Sequence, residues 1–390
     1  MRLRSKSMSN GPSIIYGTNI WSHYQASIAG ELAAQLGPDR FKMALFEDIH
    51  EERRNLGWSE TSSVPWVIGP PQNISEREDL YRSCLDADVM IFGACPHQVL
   101  EARTDAGKLT LIAAERMLKK PHHRLRLLNP RYALGIARYR RLVDHGHNHA
   151  LAIGHYAPGD LWTIGAFEGR IWRWGYFADV SSALPEPGKN GSLKVLWVGR
   201  MLDWKRVDTL LRAIARIQNE RYFDHCVIVG DGPDKERLQR LVRALKIDPC
   251  KVRMIPPVPF ADVRRMMRES DVYVLPSNRH EGWGVVVNEA MSEGCVVVAN
   301  GQAGASKELI TDNDTGLLFR DGDAAHLAAQ LERLGRDRDL RIRLRQQAWE
   351  QIQRLWHPRV AAERLIELSK GLLGISQVPD YREGPCAKVL

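Results

Sequence analysis

A chain of 390 residues holds two to three domains at about 150 residues each, and its 44% hydrophobic and 26% charged content excludes a disordered or fibrous protein. No apolar run reaches the roughly 18 residues of a membrane span, and only Ile14-Ile15-Tyr16 follows the basic start, so neither a transmembrane helix nor a signal peptide is expected. The net charge of +8 points to anionic partners, namely nucleic acid, an anionic bilayer or phosphorylated metabolites.

The first half reads as a faint strand-helix alternation. Strands are predicted at Ser13 to Tyr16, Phe41 to Phe46, Asp88 to Phe92, Leu109 to Ala113 and Leu151 to Ile153, with a helix from Gln25 to Leu36. Between Arg116 and Arg141 nine Lys and Arg residues occur without a single Asp or Glu, so the charge excess is local. This stretch fits either a solvated helical face or a patch held against anionic lipid, each cation then contributing about 1 kcal/mol. His122, His123, His145, His147 and His149 read as surface or loop histidines rather than as a metal site. Leu184 to Ser192 is rich in Pro, Gly and polar residues and reads as a linker.

The second half alternates more regularly. Lys194 to Val198, Cys226 to Val229, Lys251 to Ile255, Asp271 to Leu275 and Cys295 to Asn300 are near-continuous apolar strands. Helices are predicted from Arg206, from Pro233, over Phe260 to Glu269 and over Val285 to Glu293. Such strands imply a parallel sheet covered on both faces. Helices from about Arg341 to Leu373 and an irregular tail from Ile375 to Leu390 close the chain. The six cysteines, Cys84, Cys95, Cys226, Cys250, Cys295 and Cys386, form no CxxC pair and read as reduced thiols.

Ligands of parallel sheets bind beyond the carboxyl ends of the strands. After Val198 come Gly199, Arg200 and Lys205, a guanidinium and an ammonium able to clamp a diphosphate with charge-assisted hydrogen bonds of roughly 1.5–3 kcal/mol each. Solvation or pairing with Asp203 would explain them as well. After Leu275 comes Asn278-Arg-His-Glu281-Gly-Trp-Gly284-Val-Val-Val-Asn-Glu289, in which two glycines admit close backbone approach and the amides of Gly284, Val285 and Val286 open a helix. Glu289, in the first turns of that helix, would face the crevice of Glu281 or merely complement the helix dipole.

Gly199-Arg200 with Lys205, Val229-Gly-Asp-Gly-Pro233, Glu281 to Ala290 and Thr315-Gly-Leu-Leu-Phe319, in this order, resemble a retaining glycosyltransferase of glycosyltransferase family 4. The resemblance implies the α/β GT-B fold, two Rossmann-like parallel-sheet domains facing a central cleft. The domains expected are an acceptor-side domain over 1–187, a nucleotide-sugar domain over 188–356, and a helix and tail over 357–390 that would return to the first domain. It also implies a catalytic set of Glu281, Arg200 and Lys205, with Arg200 and Lys205 holding the donor diphosphate in place of a metal and Glu281 on the donor sugar. Gly199 and the loop Gly282, Trp283, Gly284, Val285 and Val286 would complete the donor site, with Glu289 at the ribose and Val258 near the base. Trp283 stands where Phe is common.

In the first half, Gly17-Thr-Asn-Ile-Trp-Ser22-His23-Tyr24-Gln25 and Ile171 to Phe177 are similar to polysaccharide-assembly members of the family. Gly17 and His23 are therefore acceptor-side candidates. Glu115 stands near where many members carry a catalytic His and is the candidate substitute. The expected partners are a nucleotide sugar, a glycan or lipid-linked acceptor and an anionic membrane surface through Arg116 to Arg141, with no nucleic acid and no cofactor. The expected location is cytoplasmic, peripheral at the inner membrane face. Three rivals stand beside this reading: a sugar-nucleotide epimerase or phosphorylase on the same fold, a basic nucleic-acid binder with only Tyr132 and Tyr139 to stack on, and an oxidoreductase suggested by Gly230-Asp231-Gly232.

Overall fold

The computed structural model describes residues 11–49, 51, 64–119, 125, 128–186 and 191–389. The chain forms two compact units, residues 1–177 with 358–390, and residues 178–357.

Unit 1 is built on seven strands, β1 (Ile14–Thr18), β2 (Phe41–Leu45), β3 (Val67–Ile68), β4 (Val89–Phe92), β5 (Leu109–Glu115), β6 (Asn148–Ile153) and β7 (Ile171–Trp174). Their order across the sheet is β3-β2-β1-β4-β5-β6-β7, and every pairing is parallel. Strands β1, β4 and β6 are buried at every position, as helices on both faces of a parallel sheet require. The helices are α1 (His23–Leu36), α2 (Ile74–Asp86), α3 (His97–Asp105), α4 (Pro130–Val143) and α5 (Ala157–Thr163). Ser22 caps α1 by accepting from the Tyr24 amide, and Asn129 caps α4 ahead of Pro130 at its first turn. Arg103 of α3 is fully buried and donates to the carbonyls of Cys84, Ala87 and Leu109 and to Thr110 Oγ1, which ties the end of α2 to the start of β5.

Unit 2 is built on β8 (Leu193–Val198), β9 (Phe223–Val229), β10 (Val252–Ile255), β11 (Val272–Leu275), β12 (Val296–Asn300) and β13 (Leu317–Phe319). The order β10-β9-β8-β11-β12-β13 is that of a Rossmann sheet, with its reversal between β8 and β11. The covering helices are α6 (Val207–Ile217), α7 (Lys235–Ala244), α8 (Phe260–Glu269), α9 (Val286–Ser292), α10 (Gly304–Leu309), α11 (Ala324–Arg336) and α12 (Arg338–Gln351). The apolar stripe read from Val207 to Ile217 is buried in the unit's core, together with Val195, Trp197, Val274 and Val298.

Two boundaries differ from the sequence expectation. The helix expected from Arg206 begins at Val207, because Asp203–Lys205 form a 3-10 turn and Arg206 adopts a left-handed φ of 51°. The domain break placed in the linker at 184–192 falls ten residues or so earlier, at 177/178. The reason is that residues 178–186 are fastened to unit 2: Gln353 donates to the Ser181 carbonyl at 3.0 Å and Arg345 to the Pro185 carbonyl at 2.7 Å.

The last segment lies in unit 1. Helix Pro358–Leu372 packs on α1, and the tail expected to be irregular runs beside β7: the amides of Arg173, Cys386 and Val389 donate to Ala387, Arg173 and Ile171 at 2.8–2.9 Å.

Candidate functional site

In unit 2 the loops after β8 and β11 meet at the point where the strand order reverses, where a doubly wound sheet opens a crevice. The loops are joined by backbone, since the Asn278 amide donates to the Trp204 carbonyl at 2.9 Å. Tyr273, fully buried in β11, donates its hydroxyl to the Val198 carbonyl at the end of β8, 3.2 Å away. On this frame Lys205 Nζ donates to Glu281 Oε2 at 2.5 Å, with the two side chains 20% and 14% exposed. The glycine pair lets the loop turn: Gly284 has φ +92°, and a Cβ there would stand 3.3 Å from Glu281 Cγ. Arg200 is exposed, and its side chain has no hydrogen bond or ion pair among the described residues; Asp203, its alternative partner, instead accepts from the Trp204 amide. The crevice therefore carries one committed cation, one carboxylate and one uncommitted cation.

Glycines 230 and 232 serve this site indirectly. A Cβ on Gly230 would lie 1.9 Å from the Gly199 carbonyl oxygen, and one on Gly232 2.4 Å from that of Met201. The glycines let the β9 loop lie against the turn that carries Arg200, with the Met201 amide donating to the Asp231 carbonyl at 2.7 Å. Close backbone approach, rather than dinucleotide binding, accounts for this Gly-Asp-Gly.

Glu289 is 2% exposed. Burial, then the neighbouring carboxylates of Glu293 and Asp179, push its carboxyl up to about 7 against the opposing pull of Arg264. Glu293 is itself fully buried, held by Arg264 and by Arg268 at 2.9 Å. Glu289 is thus enclosed in the protein, in the field of Arg264, Glu293 and Asp179. The Trp283 ring is 2% exposed, donates Nε1 to Asn288 Oδ1 at 2.8 Å and lies 5.2 Å from the Trp356 ring, so the side chain anchors the loop in the core and leaves only its backbone for a donor. Gly282 is buried beside it, Val285 and Val286 are half-buried at the start of α9, and Val258 is half-buried just beyond β10.

In unit 1, Gly17 is a strand residue whose Cβ would collide with Cys95 Sγ at 2.6 Å and Met90 Cε at 2.7 Å, so packing alone requires a glycine there. His23 and Glu115 both lie at the carboxyl edge of the sheet. His23 opens α1 with its ring 3.8 Å from that of Tyr24, Tyr24 lies 6.4 Å from Tyr176, and Tyr176 donates its hydroxyl to Glu115 Oε1 at 2.6 Å. The sequence reading marked Tyr176 only as part of the segment Ile171 to Phe177 and gave it no role; the strand before it, Ile171–Trp174, is too short and aromatic to be recognised.

Of the basic stretch, Lys120, Arg124 and Arg126 fall outside the described residues, as do His122 and His123. Arg116 is buried, its guanidinium 4.4 Å from the Tyr156 ring centre, which removes one cation from the surface face. Arg131, Arg138, Arg140 and Arg141 are exposed on α4 beside Leu134. His145 and His147 each meet a backbone carbonyl, and His149 accepts from Trp172 Nε1. No helix among the described residues is long and apolar enough to cross a membrane.

The two Rossmann-like parallel-sheet units define the GT-B fold class. Solved structures agree over nearly the whole chain: HepE from Anabaena in complex with UDP-glucose aligns with a TM-score of 0.66 at 17% identity over 90% of this chain and 97% of that one. Sucrose-phosphate synthase from Thermosynechococcus elongatus aligns with a TM-score of 0.64 at 17% identity over 93% of this chain and 100% of that one. Residues 184–351, which contain the whole unit-2 crevice, match the family model of glycosyl transferases group 1.

Curated relatives include a D-inositol 3-phosphate glycosyltransferase of Corynebacterium kroppenstedtii, 34% identical over 41% of this chain and 36% of the relative. Another is the lipopolysaccharide core biosynthesis glycosyltransferase LpsE of Rhizobium meliloti, 30% identical over 40% of this chain and 43% of the relative. The matched part is less than half the length of these relatives.

Proposed function

We propose that the chain is a retaining, metal-independent glycosyltransferase that moves a sugar from a nucleoside-diphosphate sugar to a hydroxyl of a glycan or lipid-linked saccharide. The observation that carries this reading is the Lys205–Glu281 pair beside the uncommitted Arg200 at the strand reversal of unit 2, within a segment that matches the family model of glycosyl transferases group 1. Two cations at one crevice suit a diphosphate, whose charge grows as it leaves, and fixed cations aimed at developing charge stabilise such a transition state. On donor binding Lys205 turns from Glu281 to the phosphates, and Glu281 accepts hydrogen bonds from the donor sugar. Glu289 belongs at the ribose, reached when the enclosed carboxyl is uncovered. The UDP-glucose in the HepE complex supports a uridine donor, and the lipopolysaccharide role in the name of LpsE supports a surface-glycan acceptor.

The exposed arginines of α4 with Leu134 suit the surface of an anionic membrane, where a lipid-linked acceptor would be at hand. Thermal unfolding with UDP, GDP, ADP, CMP and dTDP, each with EDTA and with magnesium, tests the donor reading. A nucleotide at 100 times its Kd adds about 2.7 kcal/mol. Stabilisation by one diphosphate in EDTA, lost in Arg200→Ala, is the expected result; no stabilisation by any of the five sinks the donor site.

A further inference from the structure

The carboxyl edge of the unit-1 sheet holds a carboxylate and two tyrosines that no comparison assigns. In register, Glu115 stands level with Ile153 and Ile153 with Trp174, so the last residue of β5 and the segment leaving β7 emerge at one height, with β6 between them. Tyr176, two residues past β7, crosses this gap and donates its hydroxyl to Glu115 Oε1 at 2.6 Å. The other oxygen, Oε2, lies 3.5 Å from Lys119 Nζ, close enough for charge attraction but long for a hydrogen bond. The Glu115 side chain remains 38% exposed. A carboxylate offers about four acceptor sites and a phenol that has donated its proton still offers one, so the pair presents unused acceptors to solvent. Tyr24, half-buried with its ring 6.4 Å from that of Tyr176, sets an aromatic wall beside them.

We propose that Glu115, Tyr176 and Tyr24 form a sugar-binding subsite in unit 1, in which Glu115 accepts hydrogen bonds from saccharide hydroxyls, Tyr176 positions that carboxylate and the tyrosine rings receive an apolar sugar face. A saccharide is the ligand class that supplies both hydroxyl donors and C–H faces to such a surface. A phosphate or other anion meets a carboxylate at the centre of it and is repelled. Calling the bound sugar the acceptor rests on the glycosyltransferase reading above; the binding itself does not. The hydroxyl of Tyr176 matters because it fixes Oε1 of the carboxylate by a hydrogen bond, while Oε2 has only the looser attraction of Lys119.

Saturation-transfer NMR on the full chain, with the methyl glycosides of glucose, galactose, mannose and N-acetylglucosamine, tests the subsite, and UDP in parallel samples probes unit 2. At least one glycoside should receive saturation from the wild-type protein. Glu115→Gln should weaken its Kd about 10-fold, the scale of losing a hydrogen bond to a charged group, and Tyr176→Phe, which keeps the ring, about 5-fold. UDP binding and Tm should stay unchanged in both variants. No glycoside signal from the wild type, or equal Kd values in all three proteins, overturns the subsite whatever UDP does. A glycoside signal with the expected losses but no UDP signal upholds the subsite and removes the nucleotide-sugar reading instead. A Tyr176→Phe chain that loses Tm and both ligands together marks Tyr176 as structural and overturns its positioning role, with Glu115→Gln still deciding the carboxylate.

Discussion

Lys205 and Glu281 form a short ion pair in a crevice that shields most of both side chains, whereas Arg200, a few residues away, is exposed and unengaged. The three residues should therefore fail in different ways. Lys205→Ala and Glu281→Gln should each cut turnover of the donor identified by thermal unfolding at least about 100-fold, the scale of removing one electrostatic stabiliser. Near-wild-type kcat in either variant would remove that residue from the reaction. Arg200→Ala breaks no hydrogen bond or ion pair among the described residues, so its unfolding free energy without ligand should stay within about 0.5 kcal/mol of wild type while the stabilisation by nucleotide disappears.

Glu289 allows a prediction with a definite sign. Its carboxyl titrates near 4.5 when unfolded and at about 7 in the folded protein, because burial penalises the charged form. Between those values the folded state holds more protons than the unfolded one. Stability contributed by the neutral carboxyl is thus complete below pH 4.5 and is lost as pH rises through 7, at a cost of about 3 kcal/mol. Glu289→Gln keeps the shape without the charge. In urea unfolding the variant should match wild type near pH 4.5 and exceed it by up to about 3 kcal/mol at pH 8; a difference that does not change with pH contradicts the elevated titration.

At the scale of elements, short-range motifs were legible and close approaches were not. Arg200, Lys205 and Glu281 could be read because each sits within a few residues of an apolar strand, and the sheet then brings those strand ends together. The burial of the Trp283 ring was not legible because its packing partner, Trp356, lies far along the chain and nothing local marks the pair. The segment Ile171 to Phe177 drew notice for its resemblance, but strand β7 within it was missed for its four aromatic-rich residues, and the bond from Tyr176 to Glu115 with it. Arg103 gives no sequence sign of being buried, since its partners are carbonyls from α2 and the entry to β5.

The Gly-Asp-Gly run shows the same limit: as sequence it suggests an oxidoreductase, but the contacts of its missing Cβ atoms reveal two loops laid against each other. Gly230→Ala should accordingly disturb the turn around Arg200 without touching ligand. At φ +141° and 1.9 Å from the Gly199 oxygen, the added methyl must shift that turn. A lower Tm and weakened nucleotide binding are expected together, measured by calorimetry and by titration of the same nucleotide. Wild-type binding with only the stability loss would separate the β9 loop from the donor site.

For the whole molecule, the chain leaves unit 1 at 177, builds all of unit 2 and comes back at 358, so the two units are not successive beads. The returning segment does structural work at the free edge of the first sheet. Strand β7 is the last strand on that side, and an edge strand with unpaired amides and carbonyls is a template for pairing with another chain. Residues 386–389 occupy that edge: three backbone hydrogen bonds bind it, Cys386 and Ala387 are fully buried, and Lys388 Nζ lies 5.8 Å above the Trp172 ring. Arg364 of the terminal helix holds the turn before it by donating to the carbonyls of Glu383 and Pro385.

A chain ending at Gly374 keeps the helix but strips the edge. It should lose several degrees of Tm in unit 1 and elute as concentration-dependent higher species in size-exclusion light scattering. Stabilisation of unit 2 by the diphosphate should persist, because the tail belongs to unit 1 and the donor-site residues to unit 2. Monomeric elution with an unchanged Tm would mean that the edge of β7 needs no cover, and that the buried tail is a passenger on unit 1.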